Sequence, residues 1–596
     1  MGANGAVVVW AVAVIFAPGL LYATFRRCTP LVLAAGAMLT MVLVALIAFL
    51  VSSSGHSPLP WLRALGALLV LALVLAFVLA VRRVVSSRRA HQRPAAAGSL
   101  RAVAMVAVLV LLGTWMLAPL ALVLHRHGVE FGLLTNGNAD EANYVLLAQN
   151  MADSGFRDSH HVANLDLGAL TRTNYVGSIT MLVWLSAITP LSPVQVALAS
   201  MAVAACLAAA ALWALADEIW PTLPPVAALP GTVIVSASGL AAYSYASYFL
   251  GADLGLAAAS TLLAGVVSLS RRWSWPAATA VAAGGGYGVY AYGHIGLVVV
   301  AAALPATLVV ALIASGLRGV TRSLARVALP LVAGVTLALP DISEAYDLVR
   351  AQSGVQAGWP LPPMNPFRAL FWPPGIGLPS AETTVVITWV IALAPLLAAL
   401  VYAARKPAER RSAVLAGVVL LGAVVVVAGS AWIYGAERYQ AWKMLQLLMP
   451  VALVAALPAV SLVVVKGARI GGTVLTALAG AALLGPWLQW QGVLASPDTA
   501  VLTSNDLAEA ADSIRDRDIV AINVRLGAYN ETMMAGTMLG DTAVVFSEVS
   551  YYPPLASTQT CTLTLRSMVS PDDDTVIALS GDYVLVERPS ACLVRR

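Results

Sequence analysis

Thr135-Asn-Gly-Asn-Ala-Asp-Glu-Ala-Asn-Tyr144 lies in a polar segment from about Arg126 to Asn174, with strongly apolar runs on both sides. Asp140 and Glu141 open a helical pattern continued by Tyr144, Leu147 and Met151, directly after a hydrophobic stretch. That order sets two carboxylates at a water–lipid boundary, where partial desolvation raises a pKa toward the range of a general base. The same residues have a structural reading. Asn138 followed three residues later by Glu141 fits a helix N-cap with its reciprocal partner, and acids in a first turn favour the helix dipole without any chemistry. On this stretch alone, chemistry and capping both stay open.

The rest of the composition says what surrounds the stretch. The chain has 596 residues, 60% hydrophobic and 11% charged, with a mean hydropathy of +0.84. Soluble domains carry about a quarter charged residues, so a soluble globule is excluded and a polytopic membrane protein is expected. The net charge of +5 matters less than where the charges fall. Lysine occurs only at Lys406, Lys443 and Lys466, and Ala, Val, Leu and Gly dominate, a bias expected of a GC-rich bacterial genome. No basic region precedes the first apolar run and no convincing cleavage site follows it, so Ala6 to Thr24 is expected to be a retained span.

Apolar runs of the roughly 20 residues needed to cross a bilayer begin near Ala6, Leu31, Leu62, Ala102, Val194, Val226, Leu254, Ala277, Ile295, Val327, Thr384, Val414, Met444 and Ile470. Hydropathy thus predicts about 14 spans. Basic clusters at Arg26-Arg27, Arg82 to Arg101, Arg271-Arg272, Arg318 to Arg326, Arg405 to Arg411 and Lys466 to Arg469 share one side if the chain starts outside, and the positive-inside rule makes that side cytoplasmic. The polar loops and the C-terminal tail then face outward. The parity closes only if Tyr175 to Ile188 does not cross, so a short helix at or dipping into the outer interface is expected there.

The expected organisation is three parts: residues 1–101, leading spans and a cytoplasmic linker; residues 102–493, a transmembrane catalytic module with outer loops 126–175 and 341–383; and residues 494–596, an outward α/β domain. In the last part Ser504 caps a helix to about Arg515, and Ile519 to Val524, Ala543 to Val549, Thr562 to Leu565, Val576 to Leu579 and Tyr583 to Val586 read as strands. A disulfide between Cys561 and Cys592 is favoured there over two buried thiols.

Several groups collect at the outer boundary. His160 and His161, with His125 and His127, fall around the first outer loop, and with its acids they suit a divalent cation. No pair has the i, i+4 spacing of the familiar zinc motifs, so no metal or other cofactor is expected. The Pro- and Trp-rich loop Asp341 to Thr383 suits either sugar stacking or an interfacial aromatic belt. In Glu437-Arg438-Tyr439-Gln440-Ala441-Trp442-Lys443, Arg438 and Lys443 are outward cations at the head of a span. They suit a lipid-linked phosphate, against the alternative of snorkelling to ordinary headgroups. Arg172 beside Tyr175, Asp253 and His294 map to the same boundary.

This pattern resembles the GT-C glycosyltransferases, polytopic enzymes that use polyprenyl-phosphate sugars as donors. The resemblance lies in Asp140-Glu141 in the first large outer loop, Tyr144, the helical Ala148-Gln-Asn-Met-Ala-Asp-Ser-Gly155, an interfacial segment before the next span, the Arg438/Lys443 pair and the outward C-terminal domain. It covers the chain from about Ala102 onward. It implies a GT-C-like bundle in a bacterial plasma membrane, of the actinobacterial cell-envelope type, with Asp140 as general base and Glu141 as the rival. It further implies inverting transfer from a polyprenyl-phosphate sugar to a cell-envelope glycan or glycolipid, with no nucleic acid partner. Tyr144, His160, His161, Arg172, Tyr175, Asp253, His294, Arg438 and Lys443 are the expected substrate-binding residues. The rival readings are a lipid-linked glycan transporter or flippase, which predicts polar midplane groups and pseudo-symmetric halves, and a polymerase or ligase of lipid-linked glycans.

Overall fold

In the computed structural model of the chain, the described residues are 2–26, 28–89, 94–126, 134–136, 140–157, 167–173, 176–238, 241, 244–245, 248–352, 382–434, 439–464, 470–487, 500–502, 505–517, 519, 521–526, 529–539, 543–546, 561–569 and 575–587. The helices are α1 (Gly2–Ile15), α2 (Ala17–Phe25), α3 (Pro30–Ser53), α4 (Leu59–Arg89), α5 (Pro94–Arg126), α6 (Asp140–Ser154), α7 (Leu167–Thr173), α8 (Val176–Ile188), α9 (Pro193–Ile219) and α10 (Leu229–Ser236). They continue as α11 (Leu250–Arg271), α12 (Trp275–Ser315), α13 (Leu317–Gln352), α14 (Glu382–Ala404), α15 (Arg410–Tyr434), α16 (Tyr439–Ala456), α17 (Ile470–Ala482), α18 (Asn505–Arg515) and α19 (Tyr529–Met538). The strands are β1 (Leu134–Asn136), β2 (Ala500–Leu502), β3 (Ala521–Arg525), β4 (Ala543–Phe546), β5 (Cys561–Leu565), β6 (Thr575–Ser580) and β7 (Tyr583–Glu587).

The protein is a multi-pass membrane protein. Among the described residues 10 helices are long and apolar enough to cross a membrane, or 11 if the α1–α2 pair, bent by 49° at its break, counts as one span. The sequence predicts about 14, and the runs at Val226, Ala277 and Thr384 are not among the helices that meet the length and composition criterion within the described residues. At Val226 the run forms the short helix Pro225–Ser236, and the run near Thr384 forms α14, Glu382–Ala404. At Ala277 the first arm of α12 ends at a kink, with non-helical angles at Tyr292 and Gly293. Gly293 has φ +51°, open to glycine without strain. The two arms fold back on each other so closely that a Cβ on Gly296 would collide with the Gly288 carbonyl oxygen. Hydropathy registers apolar runs, and it does not distinguish a crossing helix from a short one walled in by others.

Helix starts follow local chemistry. The Thr29 hydroxyl accepts from the Val32 amide at 3.4 Å ahead of Pro30, and Ser192 and Gln195 form a capping box ahead of Pro193. The core is Ala-rich α9, buried along its length, against which α1, α3, α5, α8 and α11 pack. Helix α8 matches the expected short, non-crossing element. Instead of lying at a surface it is buried from Val176 to Ala187, wedged among α3, α4, α6 and α9.

After α17 the chain forms the expected small α/β region. Its five-stranded sheet has the order β4-β3-β5-β7-β6, parallel across β4-β3-β5 and antiparallel across β5-β7-β6. Cys561 is disulfide-bonded and buried, whereas Cys28 and Cys206 are free; Cys592, its expected partner, lies outside the described residues. Two contacts tie this region to the segment that opened the sequence analysis. Strand β2 pairs antiparallel with β1, matching Thr135 to Val501, and α19 packs on α6.

Candidate active site

Helix α6 begins at Asp140, as the Tyr144, Leu147, Met151 pattern predicts. Its far end is anchored: Gly155 turns with φ +67°, the Phe156 amide donates to the Ser52 carbonyl at 3.0 Å, and Asn150 Nδ2 donates to the carbonyls of Gly155 and Arg157 at 3.2 Å. With one end fixed on the α3–α4 turn and one flank on α19, α6 holds its first turn against the bundle.

Glu141 is 2% exposed and its Oε2 has no hydrogen-bond partner among the described residues. Burial pushes its carboxyl well above the ordinary carboxylate value. Its neighbour is Tyr248, whose phenol is pushed up by burial and then by the Glu141 charge. The ring of Tyr248 lies 6.4 Å from that of Tyr144, and its hydroxyl meets Ser200 Oγ at 2.9 Å. Tyr248 has φ +52°, the only described non-glycine residue in the left-handed region. Such a conformation costs about 1–3 kcal/mol and collects at functional sites.

Just beyond that turn is Asp253, 3% exposed in the first turn of α11. Ser244 Oγ lies 3.0 and 2.9 Å from its two carboxylate oxygens, and Gln446 Nε2 on α16 donates to the same Ser244 Oγ at 2.6 Å. One turn earlier on α16, the half-buried Lys443 holds its ammonium 5.5 Å from the ring centre of Tyr292, at the kink of α12. Trp442 beside it packs on Phe249 with ring centres 4.9 Å apart. Glu141, Tyr144, Asp253 and Lys443 are thus joined through contacting residues at one end of the bundle. The basic groups sit at the other end of α11: Arg271 donates to the Glu218 carbonyl, and Arg326 Nη1 donates to the Arg271 carbonyl at 3.3 Å. Eighteen residues at 1.5 Å per residue put Asp253 and Arg271 about 27 Å apart, near the thickness of a hydrocarbon core.

Arg172 is exposed and stacks over Phe156 at 5.5 Å, beyond the C-terminal end of α6 and away from Glu141. His160, His161, Tyr175 and Arg438 lie outside the described residues, as does Asn138. For Asp140 and His294 the description covers the backbone, in α6 and just past the α12 kink, and not the side chain. Among the described residues no group of three His, Cys, Asp or Glu could hold a metal. Sequence reasoning missed Ser244, Tyr248, Tyr292 and Gln446. Only Gln446 carried a signal, a polar side chain one turn past Lys443 on an otherwise apolar face.

One consequence is measurable in stability. The folded state holds the Glu141 proton more tightly than the unfolded chain, so the support given by the neutral carboxyl is complete below about pH 4.5, the unperturbed value, and is lost as pH rises through the folded value. Glutamine has nearly the same shape and does not titrate. Glu141→Gln is expected to melt above the wild type at pH 8, with the gap closing toward pH 4.5, in fluorescence-monitored unfolding in detergent. A gap independent of pH would show that Glu141 is solvated.

No family model and no curated protein matches the chain. Among solved structures it is similar to ArnT from Cupriavidus metallidurans in the apo state, at 13% identity over 79% of this chain and 97% of that one, with a TM-score of 0.43. It is also similar to ArnT from Cupriavidus metallidurans bound to undecaprenyl phosphate, at 13% identity over 82% of this chain and 98% of that one, with a TM-score of 0.41.

Proposed function

We propose that the chain is a membrane glycosyltransferase of the GT-C type, which moves a sugar from a polyprenyl-phosphate donor to an extracytoplasmic acceptor of the cell envelope. The observation that carries this reading is that the acid-bearing start of α6 is linked, through Tyr248 and the adjoining Phe249–Trp442 contact, to the end of α16 that carries Lys443. The opposite, basic end supports an outward-facing site by the positive-inside rule.

The acceptor oxygen attacks the anomeric carbon while Asp140 takes the acceptor proton. The bond from that carbon to the phosphate oxygen breaks, and the phosphate leaves with the electron pair, its charge met by Lys443. A single displacement inverts the anomeric centre. Burial pushes the Glu141 carboxyl up and favours its neutral, hydrogen-bond-donating form, so the base role falls to Asp140. The outward α/β region, tied to the segment ahead of Asp140 by β1–β2 pairing, bounds the acceptor side.

The test is transfer in proteoliposomes from polyprenyl phosphate esterified to radiolabelled pentoses and hexoses, with cell-envelope glycans as acceptors. Sugar-dependent release of polyprenyl phosphate with an inverted product linkage is expected. Movement of intact donor across the bilayer without release would make the protein a flippase.

A further inference from the structure

Burying a carboxylate in an apolar bundle is unfavourable unless donors surround it. Asp253 is 3% exposed, and the hydrogen bond that holds it is a single hydroxyl proton, from Ser244, shared between its two oxygens. A carboxylate accepts about four hydrogen bonds. Ser244 Oγ in turn accepts from Gln446 Nε2, and the other end of that amide, Oε1, is buried with no donor among the described residues. Ser244, Asp253 and Gln446 are 0%, 3% and 4% exposed. Gln446 Oε1 is thus an acceptor that no described donor fills, beside a carboxyl group with acceptor capacity to spare, in a place that water barely reaches.

The geometry is built rather than incidental. The turn from Ser244 to Asp253 contains Tyr248 at φ +52°, and it is closed by the Phe249 amide donating to the Ser244 carbonyl at 3.0 Å. Gln446 and Lys443 stand three residues apart on α16, a separation of about 5–6 Å between neighbouring Cβ positions on one face. That is the step from a phosphate to the hydroxyls of the sugar it esterifies. No second His, Cys, Asp or Glu pair joins Asp253 to make a cation site among the described residues.

We propose that Ser244, Asp253 and Gln446 form the subsite that binds the hydroxyls of the donor's sugar ring, two adjacent hydroxyls donating to Asp253 and one to Gln446 Oε1. The proposal rests on the donor class given under Proposed function and adds the part of the donor that is read. The lipid phosphate belongs to Lys443, and the sugar to this cluster.

Two probes separate the parts: polyprenyl phosphate alone, and polyprenyl phosphate esterified to a pentose or hexose, titrated in detergent against wild type, Ser244→Ala and Gln446→Leu. The variants are expected to lose about tenfold in affinity for the sugar-bearing lipid, the order of one or two hydrogen bonds, and to bind bare polyprenyl phosphate as the wild type does. Equal losses for both probes, or none for either, overturn the subsite. Gln446→Asn retracts the amide by one methylene without removing it, and it is expected to show the same selective loss if Gln446→Leu does not fold. A wild type that binds neither lipid overturns the donor class itself, and a wild type that binds both with variants unaffected overturns only the subsite.

Discussion

Asp140→Asn is expected to slow sugar transfer by about 10²- to 10⁴-fold, the usual contribution of a positioned general base, while donor binding stays within twofold of wild type. The amide keeps the size and the helix-start position of the side chain and removes only its capacity to take a proton. The measurement is single-turnover transfer together with donor titration, across pH 5 to 9. The wild-type rate is expected to rise with pH as the base ionises and then level off, and the residual rate of the variant is expected to lose that limb. Full activity in Asp140→Asn, with activity abolished in Glu141→Gln, would reverse the two roles. That reversal would require Glu141 to ionise inside the bundle, against the burial that pushes its carboxyl up.

The second large effect is at Lys443. Its ammonium lies over Tyr292, a contact of about 0.5–2 kcal/mol that fixes the side chain without neutralising it. Removing one preorganised charge donor to a developing anion costs about 10²- to 10³-fold in rate. Lys443→Met is expected to show that loss and to bind the phosphate lipid more weakly as well. Lys443→Arg, which keeps the charge in a planar fork, is expected to recover part of the binding and less of the rate. If Lys443→Met turned over normally, Lys443 would be a snorkelling residue and the leaving group would be met elsewhere.

The charged members of the site were legible because charge is rare in an apolar chain. Asp253 and Lys443 stand out in their runs, and Asp140-Glu141 lie at the start of the helix that the apolar spacing of Tyr144, Leu147 and Met151 marks. The strands β3 to β7 were legible as alternating stretches between turn residues. What was not legible depends on distant partners. Ser244 is an ordinary polar residue until Gln446, 202 residues further along the chain, packs within 2.6 Å of it. Tyr248 reads as one aromatic among several, and only its backbone angle sets it apart. The span count failed for a related reason. An Ala- and Gly-rich run buried among other helices has the same hydropathy as one facing lipid, so hydropathy did not separate the two arms of the α12 hairpin from other apolar runs.

The pairing of β1 with β2 sets an order of events during synthesis. Asn136 leaves the ribosome 364 residues before its partner Ala500, which at 5–20 residues per second is an interval of about 20–70 s. Throughout that time every span after α6 is being inserted and the strand ahead of Asp140 has nothing to pair with. The edge closes only when the last region of the chain has emerged. A nascent or prematurely ended chain therefore carries the acids without their final support, and the protein gains its working form at the end of translation, not partway through insertion.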